Sequence, residues 1–366
     1  MDDNFSSHKF AVNRVNFSIL IPPVILSILG IATFYSIDAH IFNQQLMYLF
    51  ASLFAYFVFL NINYRIFIVY AKYMYWVMIF LLLLLFFIGL EARGSVRWID
   101  VFGIRIQFSE VIKPFFIIFF ATHLTQNSSR SIGKFLKSLL LVVPFFFLIL
   151  KQPDLGNALI YIFVSLGMMF VYGFPWRYFL TLALLAILPF PLVFNFLHDY
   201  QKARLMTFID VTSDPTGTSY NAIQALISIG SGGFFGKGLG QATQSILQFL
   251  PERHTDFIFA TISESLGFVG GAFIIGLFAF FLSTLYMRSQ QVHDELSHTI
   301  VIGFFFLFLT HVFVNIGMNI GLVPIVGITL PFVSYGGSSL LTNFIALGIL
   351  SSLLFEFNKR RTMEIR

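Results

Sequence analysis

The stretch FLPERHTDFIFATISESLG, residues 249–267, gathers Glu252, Arg253, His254, Asp256 and Glu264 in a chain of which only 11% is charged. Three carboxylates in one segment, Glu252, Asp256 and Glu264, invite acid–base chemistry. If Pro251 opens a helix, then Asp256, Phe259, Ala260, Ser263 and Glu264 share one stripe. At 1.5 Å per residue, Asp256 and Glu264 then stand about 12 Å apart, too far for a carboxylate dyad. On that reading Asp256 sits at a water–lipid boundary and Glu264 deeper. An acid in a first helical turn also simply favours the helix dipole.

Other groups could act with them. In QFSEVIKP, Glu110 and Lys113 lie one turn apart, where they neutralise each other or line a ligand site. A charge at the bilayer centre costs on the order of 3 kcal/mol, so Glu110, Lys113 and Glu264 together point to a polar cavity within the apolar segments. ARGSVRWID supplies Arg93 and Arg97 beside Trp98, and YQKARLMTF supplies Lys202 and Arg204. These are either interfacial anchors or a phosphate-binding set. Asp154 in KQPDLGNAL reads as a helix cap. Asn315 and Asn319, one turn apart, are placed to hydrogen-bond across helices.

Several chemistries are excluded. There are no cysteines, hence no disulfides, thiolate metal site or thiol nucleophile. GSGGFFGKGLG is not a phosphate loop: no Ser or Thr follows Lys237 and no strand precedes it, so it reads as an exposed, turn-rich hinge. The eight histidines are scattered without metal-ligand spacing. No basic stripe interleaved with aromatics suggests nucleic acid.

The elements that must position these residues follow from hydropathy. Residues of the AVILMFWYC set make up 57% of the chain, 50 of the 366 residues are phenylalanine, and mean hydropathy is +0.85. That composition implies an all-α integral membrane protein, a single polytopic domain over residues 1–366. About ten runs have the length of a span. They fall at 17–37, 42–61, 71–90, 109–125, 135–150, 157–173, 177–197, 265–287, 299–321 and 335–357. Placing both termini in the cytoplasm puts most Lys and Arg of the connections inside. The 91–108 connection is then an exception, with cations held outside as an anionic ligand would require. The long 198–264 connection lies outside too. Ile223, Leu226, Ile227 and Gly230 have helical spacing within it, so it should carry short amphipathic helices on the outer surface. VPIVGITLPFVSYGGSS reads as a re-entrant segment leading into the last span. The residues thus call for an amphiphilic substrate with an anionic head, met either by an interfacial enzyme or by a transporter.

GSVRWIDVFGIRIQFSEVIK, KQPDLGNAL, YQKARLMTFID, SYNAIQALISIGSGGFFGKGLG, FLPERHTDFIFA and GMNIGLVPIVGITLPFVSYGGSSLL together resemble the SEDS family (shape, elongation, division and sporulation) over roughly residues 90 to 357. ATQSILQFLPERHTDF and NIGMNIGLVPIVGI look more like its elongation branch than its division branch. Phe108 replaces the usual proline, and Ser265 the second acid of a usual pair, leaving Glu264 alone.

The resemblance implies a peptidoglycan glycosyltransferase that polymerises lipid II at the outer face of the bacterial inner membrane. It implies ten spans, cytoplasmic termini, a class B penicillin-binding protein as partner and other membrane proteins of the elongation complex. It assigns catalysis to Asp256; the chemistry would make that residue the base for the acceptor hydroxyl, with Arg97, Lys202 and Arg204 as candidates to face the diphosphate, and Lys113 if the cavity is deep. Arg253 and Glu252 would steady Asp256, while Trp98, Glu110, Asp154 and Glu264 complete the expected site. No cofactor is named; a divalent cation could bridge diphosphate and carboxylates, but no ligand set is apparent. A lipid II flippase or transporter, the division-specific member of the family and a scaffold of the elongation machinery remain the alternatives.

Overall fold

The computed structural model describes residues 14–92, 95–101, 104–127, 129–188, 199–210 and 219–364. Arg93, residues 211–218 and the far end of the expected 177–197 span lie outside the described residues.

Among the described residues, eight helices are long and apolar enough to cross a membrane. They are α1 (Phe17–Ile37), α2 (Ala39–Asn61), α4 (Ala71–Ile88), α7 (Ile132–Lys151), α8 (Leu155–Tyr172), α13 (Ile258–Gln291), α14 (Glu295–Asn319) and α15 (Gly337–Glu364). Two shorter apolar helices, α6 (Lys113–Thr125) and α9 (Trp176–Ile187), fall where the remaining two spans are expected. Short helices α3 (Arg65–Val69), α5 (Phe108–Val111), α10 (Asp199–Ile209), α11 (Tyr220–Ser231) and α12 (Thr243–Ile246) are the others among the described residues. Pro144 lies inside α7 without ending it. A proline within a membrane helix is tolerable because neighbouring groups can serve the carbonyl it leaves unpaired.

The helices are not equivalent. Of the spanning windows, α15 is 78% buried and α2 only 22%, which places α15 at the centre and α2 at the lipid-facing rim. α15 packs along α2, and α14 against α8 and α13. The loop between α14 and α15 sinks into this core. Phe332, 2% exposed, meets Phe281 of α13, Phe308 of α14 and Phe344 of α15 edge-on or stacked. The expected re-entrant segment is therefore protein-packed, as non-helical backbone at membrane depth has to be.

Two departures concern the connections. Between α4 and α5 the chain forms an antiparallel meander of β1 (Leu90–Ala92), β2 (Ser95–Val101) and β3 (Ile104–Ile106), which the helical reading lacked. Its sequence cues are Gly94 and Gly103 between short alternating runs. In its register Asp100 faces Arg105, an opposite-charge pair across strands. The 198–264 connection does carry short helices, but α11 buries its small residues, Ala225 and Ser228, while Leu226 and Ile227 stay exposed.

Candidate active site

Asp256 lies in a tight turn rather than on a helix. Residues 251–257 form successive turns, and α13 begins only at Ile258, which corrects the expectation of a helix opened by Pro251 and a stripe shared with Glu264. The reason lies in the backbone carbonyls. Arg253 O accepts from Thr261 Oγ1 at 2.9 Å, His254 O from the Tyr335 amide at 2.8 Å, and Thr255 O from Ser334 Oγ at 2.7 Å. Asp256 O accepts from both Asn315 Nδ2 and Asn319 Nδ2, each at 3.0 Å. Four consecutive carbonyls are thus held from three directions: α13, α14 and the 320–336 loop. At about 1 kcal/mol net apiece, such bonds outweigh the weak preference of so short a segment for helix. The Asp256 side chain is half-buried, and its carboxylate packs on Gly327, where an added Cβ would stand 3.3 Å from Oδ2. Gly327 itself has φ +72°, a left-handed conformation that suits glycine.

A second cluster is fully enclosed. Glu110 accepts from Lys113 Nζ at 2.7 Å, the two being 7% and 3% exposed, so the expected self-neutralising pair forms. Lys113 Nζ also lies 3.0 Å from His311 Nε2. Asp154 caps α8 by accepting from the Asn157 amide at 3.1 Å, and its other oxygen takes Asn157 Nδ2 at 2.9 Å and Gln107 Nε2 at 2.7 Å. It lies within electrostatic reach of Lys113. Arg97 on β2 donates to the carbonyls of Gln152 and Pro153, tying the meander to the turn just before Asp154. Trp98, next to it, is half-buried.

Glu264 has a different setting. It is fully buried, and its carboxylate accepts from Lys237 Nζ at 2.9 Å, the Gln244 and Ser245 amides at 2.9 and 3.1 Å, and Ser245 Oγ at 2.9 Å. Its partners thus come from the glycine-rich segment and α12. That segment is docked rather than hinge-like. α13 breaks at Gly267 (φ 69°, ψ −163°), and the 233–238 backbone serves the groups freed there. Lys237 N–H donates to Glu264 O and Gly238 N–H to Ser265 O, while Phe268 and Val269 donate to Gly233 O and Phe234 O.

The structure therefore brings Glu110, Lys113 and Asp154 together, sets Asp256 at a separate turn, and gives Glu264 to the glycine-rich segment. Lys202 and Arg204 are half-buried on α10. Two residues apart on a helix they point roughly 200° from each other, so they cannot form one cradle on a single face. Arg253, in the same turn as Asp256, has a buried Nε with no hydrogen-bond partner among the described residues. No group of three His, Asp or Glu side chains among the described residues is arranged to hold a metal ion. The residue that sequence reasoning missed is His311. Its signal was its spacing: His311, Asn315 and Asn319 recur at every fourth position in the largely apolar second half of the helix.

Known proteins share both sequence and architecture. The chain is 36% identical over 294 residues to the peptidoglycan glycosyltransferase MrdB of Escherichia coli K12, covering 79% of each. It is 38% identical over 289 residues to a probable peptidoglycan glycosyltransferase FtsW of Pseudoalteromonas translucida, covering 75% of this chain and 70% of that one. Stage V sporulation protein E of Bacillus subtilis is 35% identical over 324 residues, with 86% and 88% covered. Among solved structures, a chain of a peptidoglycan synthase complex that coordinates polymerization and crosslinking matches with TM-score 0.83 and 27% identity, over 94% of this chain and 98% of that one. The rod shape determining protein RodA of Thermus thermophilus matches with TM-score 0.70 and 26% identity, over 93% and 97%. Residues 15–359 match the cell cycle protein family that unites FtsW, RodA and SpoVE, and the chain belongs to that family, the SEDS proteins.

Proposed function

We propose that this protein polymerises lipid II into glycan strands during cell elongation, with Asp256 as general base. The carboxylate takes the proton of the acceptor sugar's 4-hydroxyl while that oxygen attacks the anomeric carbon of the donor. The bond from that carbon to the diphosphate breaks, and polyprenyl diphosphate leaves with the electron pair. Direct displacement inverts the anomeric centre. A diphosphate needs little protonation to depart, so one positioned base and nearby cations suffice, unlike the two flanking carboxylates of a glycoside hydrolase.

The observation that carries this reading is the seat of Asp256. Its main chain is fixed by Asn315 and Asn319 at 3.0 Å, leaving the carboxylate at a half-buried turn. Arg253, half-buried in that turn, is the first candidate to meet the diphosphate, followed by Lys202 or Arg204, while Arg97 is already engaged by the carbonyls of Gln152 and Pro153. Lys113 is already engaged by Glu110 and His311, and shapes the site from within. Glu264, through Lys237 and α12, holds the wall beside the Asp256 turn. The elongation role rests on the ATQSILQFLPERHTDF and NIGMNIGLVPIVGI wording, and the likeness to a synthase complex favours a class B penicillin-binding protein as partner.

Purified protein incubated with lipid II, with and without such a partner, tests the reading. Glycan strands from the wild type and none from Asp256→Ala are expected. Transport of lipid II across vesicles with no polymer under any condition would instead establish a flippase. Normal cell shape with Asp256→Ala as sole copy would point to a scaffold.

A further inference from the structure

His311, Asn315 and Asn319 lie on one face of α14, each a turn beyond the last, and are 2%, 0% and 0% exposed. All three direct their side chains at groups outside their own helix. Asn315 and Asn319 grip the carbonyl of Asp256, and Asn315 also donates to Ile328 O at 2.6 Å. His311 stands about 6 Å along the axis from Asn315 and about 12 Å from Asn319. Its Nε2 lies 3.0 Å from Lys113 Nζ and its Nδ1 lies 3.2 Å from the Thr329 carbonyl. An ammonium only donates and a carbonyl only accepts, so a single form of the ring satisfies both contacts. That form carries hydrogen on Nδ1 and a lone pair on Nε2. Thr329 lies two residues beyond Gly327, the residue that backs the Asp256 carboxylate.

We propose that His311 is a positioning residue for glycosyl transfer, joining the buried Lys113–Glu110 pair to the helix and loop that seat Asp256. This rests on the reading of Asp256 as base. Lys113 sits on a flexible stem, and Glu110 alone would let its ammonium swing about one contact. The ring supplies a second, fixed acceptor, which sets where the cation stands relative to the α14 ladder. The same ring contacts the Thr329 carbonyl, two residues from the glycine behind the base, so the cation and that loop are referred to one rigid side chain.

Three variants separate the two contacts. His311→Gln supplies a donor and an acceptor and can serve both Thr329 and Lys113. His311→Asn keeps a donor near the Nδ1 position but has no acceptor that reaches Lys113. His311→Leu removes both. With lipid II as substrate, kcat of His311→Gln should stay within about threefold of wild type. The Asn and Leu variants should lose about tenfold or more in kcat with KM within about twofold, since misplacement alone can cost as much as a hundredfold. His311→Gln should melt near the wild-type temperature, whereas the Asn and Leu variants leave a buried partner of the ring unmatched and should melt lower, so kcat is compared well below every melting temperature. A wild-type kcat in His311→Asn, a change confined to KM, or a kcat loss that vanishes when each variant is assayed equally far below its own melting temperature would each overturn the proposal. Nitrogen-15 spectra of histidine-labelled protein, with the His311 signal identified by its loss in His311→Asn, read the ring independently of activity. Hydrogen on Nδ1 supports the proposal and hydrogen on Nε2 refutes it. If the wild type makes no polymer, the reaction assigned to Asp256 falls and this role with it. The tautomer measured in the same sample then distinguishes that outcome from failure of the His311 contact.

Discussion

Asp256 is held at its main chain by two asparagines, so an isosteric change of its side chain leaves those bonds in place. Asp256→Asn should therefore leave the melting temperature nearly unchanged while lowering polymerisation about 10²- to 10⁴-fold, the usual contribution of a general base. Loss of stability on the same scale as loss of rate would show that the carboxylate is structural. Asn315 and Asn319 share one acceptor, the Asp256 carbonyl. Asn315→Leu and Asn319→Leu should each reduce kcat about 10- to 100-fold by loosening that grip. The double variant should lose less than the product of the two, because groups sharing one partner are not independent. Strict additivity of the two losses in free energy would mean that they do not act through the shared carbonyl.

The element that most constrains the site is α13, broken at Gly267 and splinted by the glycine-rich segment. A Cβ at Gly267 would meet Gly236 N at 2.3 Å, and one at Gly236 would meet Ser265 O at 2.2 Å, with both residues in left-handed conformations (φ +69° and +82°). Backbone cannot yield as a side-chain tip can. Gly267→Ala and Gly236→Ala should each lower stability by about 2 kcal/mol or more. Gly276, on the same helix with nothing within 4 Å of its Cβ position, is the control. Gly276→Ala should be neutral or stabilising by up to about 1 kcal/mol. Glu264→Ala should cost about 3–5 kcal/mol, since it leaves Lys237 and two amides without their acceptor. Thermal unfolding in detergent checks all four. A mild Glu264→Ala phenotype with a large rise in KM would transfer that residue from the wall to the substrate.

At the scale of the whole molecule, α13 runs from the end bearing Asp256 and the 233–246 segment to an opposite end at Gln291. The asymmetry of Lys and Arg favours placing the Asp256 end outside the cell membrane, which is the orientation the proposed function needs. The absence of native cysteine makes this directly testable. An impermeant thiol reagent should label Gln241→Cys in intact spheroplasts and Gln291→Cys only after the membrane is opened. The reverse pattern would turn Asp256 to the cytosol and end its proposed role. The burial gradient from α2 to α15 sets the same limits on partners. A membrane partner would meet the rim helices rather than α15.

The sequence by itself determined the membrane class, the number and approximate places of the spanning segments, and the Glu110–Lys113 pair. It also determined membership of the family through blocks of wording. These are sums or spacings along a short stretch of chain, and lipid as solvent rewards them locally. Tertiary structure alone decided the rest. A helix at 251–257 was a fair expectation from Pro251 onward, yet its carbonyls are bound by Tyr335, Ser334, Asn315 and Asn319, far along the chain. Glu264 found its cation at Lys237, and Lys113 found a second partner in His311, 198 residues away. A hydrogen bond between distant residues leaves no trace in local periodicity, because each partner's position is fixed by the packing of its own helix. The fold brings them within 3 Å, and only there do they become one site.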